Sequence, residues 1–151
     1  MKSTFQVAAL LTLSTVAAQA QDSKTDLAAL DGSWKVVAIQ IGGKKVPVGR
    51  GNPDKIVIKD GKITIWALEK PFAVFKDGEL KLDAKQQPKT IDIVLAERGF
   101  TVPGIYELTE AELKLAIPKA PASSDETLER PQSFETRGNK VMVLFTKRNK
   151  D

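Results

Sequence analysis

Lys55-Ile56-Val57-Ile58-Lys59, Asp60-Gly61, Lys62-Ile63-Thr64-Ile65-Trp66-Ala67 is the stretch that decides the fold. Two runs of alternating apolar and polar residues flank an Asp-Gly pair. The β-branched residues suit a pleated, half-buried strand. Asp-Gly accepts the positive φ that both central positions of a type I′ turn demand. A tight antiparallel hairpin follows.

The same device is expected again at Phe72-Ala73-Val74-Phe75-Lys76, Asp77-Gly78, Glu79-Leu80-Lys81-Leu82-Asp83. Upstream, Gly32 to Ile41 is rich in β-branched residues. Downstream, Ile91, Ile93 and Leu95 keep step against Thr90, Asp92 and Val94. Gly104 to Leu108 turns through Thr109-Glu110-Ala111 into Glu112 to Ile117, and Lys140 to Thr146 is apolar on both faces. Eight or nine strands are thus joined mostly by tight turns, and no segment of helical period is long enough to cross over a parallel sheet. The fold class is all-β, a single antiparallel up-and-down barrel of about eight strands with room inside for side chains or one small ligand. A two-sheet sandwich is the rival, but its sheet-crossing connections need longer links than Asp-Gly hairpins provide.

Residues 1–20 read as a cleaved signal peptide. Met1-Lys2 gives a basic start, Phe5 to Ala18 an uncharged apolar run, and Ala18-Gln19-Ala20 a small-x-small cleavage pattern. The run falls short of the ~20 apolar residues of a membrane crossing, so no membrane span is expected. Residues 21–29 form a polar N-terminal lead with a turn of helix at its end, and residues 30–151 form the barrel domain. A soluble protein of the periplasm or the cell exterior is expected. Without Cys there is no lipid anchor through a lipobox and no disulfide, and a chain of this size buries roughly two thirds of its unfolded surface without one. Loss of Lys2 leaves 22 Lys and Arg against 19 Asp and Glu. That small excess, with no basic stripe visible along the chain, argues against nucleic acid as a partner. A monomer is expected.

Leu30-x-Gly32-x-Trp34-x-Val36 resembles the Gly-x-Trp opening of lipocalin-like proteins. The resemblance implies that Trp34 plugs the closed end of the barrel and that a basic residue after the last strand, Lys147 or Arg148, packs over its ring. A guanidinium on an indole face contributes about 0.5–2 kcal/mol. A longer series in order, namely that opening, Pro88-Lys89-Thr90-Ile91-Asp92-Ile93, Pro103-Gly104-Ile105-Tyr106-Glu107-Leu108, Leu113-Lys114-Leu115 and Arg130-Pro131-x-x-Phe134, resembles a functionally uncharacterised family of exported lipocalin-like domains numerous in planctomycete bacteria. It covers nearly all of residues 21–151. It implies the fold and the export and carries over no catalytic residue. Members often have a Cys after the Leu-x-Leu strand, where this chain has Ala116.

The chemistry is bounded by what the chain lacks. With no His and no Cys, the commonest proton shuttle, nucleophile and metal ligands are absent. A Ser or Thr nucleophile would need Lys or a carboxylate as base, and no such constellation is visible. Carboxylate pairs at Asp77 and Glu79, Glu107 and Glu110, and Glu126 and Glu129 sit in or beside turns, where charges are ordinarily solvated. Asp22, or Asp125 with Glu126, offers hard-ion ligands without spelling a Ca²⁺ loop. Gly49-Arg50-Gly51-Asn52 is a turn-rich loop able to wrap an anion. Lys44-Lys45 and Lys147-Arg148-Asn149-Lys150 are short basic clusters that read as solvated ends, with a surface polymer or a membrane as the alternative contact. No catalytic residue, metal or cofactor is expected, and the protein is read as not an enzyme.

Two functions remain. In the first, an apolar interior takes a small hydrophobic molecule, with Trp66, Phe72, Phe75 and Tyr106 as cavity or rim residues and the long Pro118 to Asn139 segment as a lid anchored by Arg130 and Phe134. In the second, bulky inward residues such as Ile56, Ile65, Ile91 and Leu115 fill the barrel, which acts instead as a protein or cell-envelope interaction module. Gly32, Trp34 and Arg148 belong to barrel-end packing in either case.

Overall fold

The computed structural model describes residues 14–119, 127–135, 138 and 140–150. Helix α1 (Ser14–Leu30) is followed by β1 (Gly32–Ile41), β2 (Lys44–Val46), β3 (Lys55–Lys59), β4 (Lys62–Ala67), β5 (Lys70–Pro71), β6 (Gly78–Asp83), β7 (Lys89–Leu95), β8 (Phe100–Leu108), β9 (Glu112–Pro118) and β10 (Val141–Arg148). Eight strands, β1, β3, β4 and β6 to β10, run up and down around a closed antiparallel barrel, and β10 pairs back onto β1. The short β2 extends β1 at one end, and β5 lies on β4. This is the lipocalin-like up-and-down barrel that the alternating pattern predicts.

Asp60 and Gly61 have φ of 51° and 73°, the left-handed pair that a type I′ turn requires, and β3 and β4 register from Lys55↔Trp66 to Lys59↔Lys62 around them. The second Asp-Gly behaves differently. Asp77 has a positive φ and Gly78 does not, and Ala73–Phe75 is a turn of 3-10 helix rather than a strand. The neighbour of β6 is therefore β4, joined through only two register pairs, Lys62↔Glu79 and Ile63↔Gly78. Gly78 is there for packing. A Cβ on it would lie 2.5 Å from Ile93 Cγ2 and 3.1 Å from Leu95 Cδ2.

In β1 a bulge between Val36 and Ala38 shifts the alternation by one residue. It lets Trp34, Val36 and Ile39 all point into the barrel although their spacing breaks the period of two. Inside they meet Ile56, Ile58, Ile63, Ile65, Ile91 and Ile93, each 1% exposed or less. Each such buried side chain contributes about 1.5–3 kcal/mol relative to exposure.

The polar lead is helical. Ser14–Leu30 is rich in Ala, Gln and Leu, good helix formers. The predicted cleavage site at Ala18-Gln19-Ala20 lies within its range, whereas the signal peptide's apolar run lies largely outside the described residues. Leu30 is fully buried and Leu27 packs on the core, so the helix stoppers one end of the barrel.

A second, smaller apolar cluster lies on the outside. Ile105, Ala116 and Val143 align across β8, β9 and β10 and are covered by Phe134, Val141 and Phe145. The segment after β9 therefore straps the outer wall.

Candidate functional site

Every α-helix leaves its last carbonyls without intrahelical partners. At the end of α1 the barrel supplies those partners. The Asp31 N–H donates to Ala28 O, Trp34 Nε1–H donates to Leu30 O at 2.9 Å, and the Arg148 guanidinium donates to Ala29 O and, at 2.8 Å, to Asp31 O. Arg148 Nε donates in addition to Glu110 O in the β8–β9 turn. Its guanidinium carbon stands 4.1 Å from the Trp34 ring centroid. A cation at a helix C-terminus also opposes the negative end of the helix dipole. Gly32, with φ of 137°, makes the room, since a Cβ there would come within 2.9 Å of Arg148 Nη1. Gly32, Trp34 and Arg148 thus act together, and of the two basic residues weighed for this place it is Arg148 that stacks.

Beside this cap lies a polar latch. Asp26 Oδ2 accepts hydrogen bonds from Tyr106 Oη and Lys89 Nζ, both at 2.7 Å, and Ser23 Oγ accepts from the Ala84 N–H. These bonds tie α1 to β7, β8 and the β6–β7 turn. Burial, the hydrogen bond to Asp26 and the negative charges of Asp26 and Asp83 push the Tyr106 phenol far above its ordinary 10.0. A group whose native pKa is raised adds stability that is intact below its unfolded pKa and is lost as pH climbs beyond it. The loss therefore begins near pH 10 and approaches about 1.4 kcal/mol per pH unit. Tyr106 is the one tyrosine of the sequence, so tyrosinate absorbance reports it alone. The expected titration stays silent through pH 10 and rises only with unfolding, and Tyr106→Phe flattens the alkaline stability slope. A reversible phenol titration near 10 in the folded protein would refute the latch.

The four residues expected at a ligand mouth do not converge on one. Tyr106 is inside, against the helix-stoppered end. Trp66 shares the outward face of β4 with Thr64, opposite Ile63 and Ile65, and carries Lys55 Nζ 4.7 Å from its ring centroid. Its Nε1–H is buried with no partner among the described residues. Phe72 and Phe75 are at the far end of β4, where the Phe72 N–H donates to Ile65 O and both rings pack on the core. Trp34 and Tyr106 are each 0% exposed, both at the end of the barrel interior that α1 stoppers.

Arg130 and Phe134 anchor their segment, but on the outer wall and over no mouth. Arg130 donates to Gly104 O and to Asp92 Oδ1, both at 2.8 Å, and Phe134 covers Ala116 and its neighbours. Of the expected lid, residues 120–126, 136, 137 and 139 lie outside the described residues. The Gly49 to Asn52 loop closes on itself, with Asn52 donating through its N–H to Gly49 O and through Nδ2 to Pro47 O. Among the described residues no group of three acidic side chains gathers as a metal site. Likewise among them, no helix is long and apolar enough to cross a membrane.

Among the described residues, a concavity opens on the outside. A groove of about 540 Å³ runs along β1, β10 and β9, where the bulge leaves Val37 45% exposed beside Ala38, Phe145 and Lys114. Sequence parity did not reveal it, because the bulge that opens it has no local signal. Fold and site together define a lipocalin-like barrel, stoppered by its N-terminal helix, with an apolar groove on its outer wall. Comparison of the chain with protein-family models, with curated proteins and with solved structures returned no match.

Proposed function

We propose that this protein is a non-enzymatic, exported interaction module that works through its outer surface, and not a carrier of a small hydrophobic molecule. The observation that supports the reading is the burial of Trp34, Tyr106 and a ring of isoleucines inside the barrel, bulky side chains that favour a filled interior. Close-packed interiors have no spare volume for a guest without expelling a side chain. The resemblance to exported planctomycete domains and the leader-like residues 1–20 support export. The test is native mass spectrometry of protein purified gently from a cell-envelope fraction, before and after organic extraction. A bare polypeptide mass in both samples, with no enhanced fluorescence from apolar probes, is the expected result. An added mass of a few hundred daltons that extraction removes would restore the carrier reading.

A further inference from the structure

The sheet register brings together three lysines that the sequence keeps far apart. Lys35 on β1 is directly opposite Lys55 of β3 on one edge and Lys147 of β10 on the other. All three lie on the outer face, in a line across the strands. Directly opposed like charges weaken a sheet. The described residues do not neutralise them. Their salt bridges join Lys89 to Asp26, Lys114 to Glu107 and Arg130 to Asp92, and none involves this row. Glu112 faces Lys147 in register without approaching within salt-bridge distance. Lys45 and Lys114 flank the neighbouring groove on the same wall.

We propose that this lysine row is the docking site for a linear anionic polysaccharide, one carrying a carboxylate or sulfate on successive sugar units. The proposal deepens the reading of the barrel as an outer-surface module and rests on it. Neighbouring strands are spaced by about 4.8 Å, so the row roots its three lysine stems at a repeat of about one sugar unit. Lysines are point charges on flexible stems and meet carboxylate or sulfate without a fixed bidentate geometry. A bilayer surface fits less well. Val37, the exposed apolar residue nearest the row, lines a concavity instead of protruding, and Trp66 at the end of the row has its ring face taken by Lys55.

The test measures binding of the whole protein to polygalacturonate, to neutral dextran and to vesicles of phosphatidylcholine with phosphatidylglycerol, across a salt series. Binding to polygalacturonate alone is expected, weakening linearly in log salt as counterions are released. Lys35→Gln/Lys55→Gln/Lys147→Gln should bind at least tenfold more weakly with a flatter salt slope. Relieved of opposed charges, it should also melt at a higher temperature than the parent at low salt, which separates lost binding from lost folding. Lys62→Gln/Lys76→Gln/Lys81→Gln removes the same charge elsewhere and should bind like the parent. Equal loss in both triple variants, binding to vesicles in preference to polygalacturonate, or no binding at all would each overturn the proposal. In every one of those outcomes the outer-surface reading survives unless an apolar probe enters the barrel.

Discussion

Trp34→Ala is expected to cost about 3–5 kcal/mol, the range for emptying a fully buried aromatic site. Trp34 is among the largest side chains in the barrel with no exposed surface. Around the vacated ring stand a helix terminus and a guanidinium that both depend on it. Leu30 O loses its donor and Arg148 loses the surface it stacks on. The cavity cannot collapse easily, because α1 above it is held separately by the Asp26 latch. Against a total stability of about 5–15 kcal/mol for a domain, such a loss brings the protein near its threshold. Urea unfolding should show a lower midpoint with an unchanged slope. Trp34→Phe should fall between the two, since it restores much of the volume and still orphans the Leu30 carbonyl. A cost under about 1 kcal/mol for Trp34→Ala would mean the plug is dispensable.

The elements legible in the sequence are those whose cause is local. Asp60-Gly61 announces its hairpin because two adjacent residues must both take positive φ, and they do. The alternation of Ile63 and Ile65 against Thr64 and Trp66 already puts Trp66 on the outer face, where parity and not aromatic character decides. What was hidden depends on chain-distant partners. Asp26 meets Lys89 and Tyr106 across 63 and 80 residues. The lysine row escaped for the same reason. Lys35, Lys55 and Lys147 form no run along the chain, and only the closure of β10 onto β1 makes them neighbours. A modest net charge can thus conceal a concentrated one.

Gly78→Val is expected to cost about 3 kcal/mol at the seam of the barrel, the upper end of the cost of overpacking. The β4–β6 junction closes the barrel with two register pairs, where most other neighbours share five or more. At that junction Gly78 is crowded from both sides, by Ile93 and Leu95 of β7 and by Ile63 of β4. Ile93 is 0% exposed and has nowhere to retreat. A valine there must either displace Ile93 or push β6 away from β7, which also strains the two-pair junction with β4. Ile93→Ala alone should cost about 2–5 kcal/mol by leaving a cavity. Combined, the two changes should be less costly than their sum by at least about 1 kcal/mol, because the valine occupies the space that Ile93 vacates. Hydrogen exchange at Gly78 and Glu79 should rise in Gly78→Val and fall back toward the parent in the double variant. Strictly additive costs would show that Gly78 is needed for its backbone alone and not for the packing of Ile93 upon it.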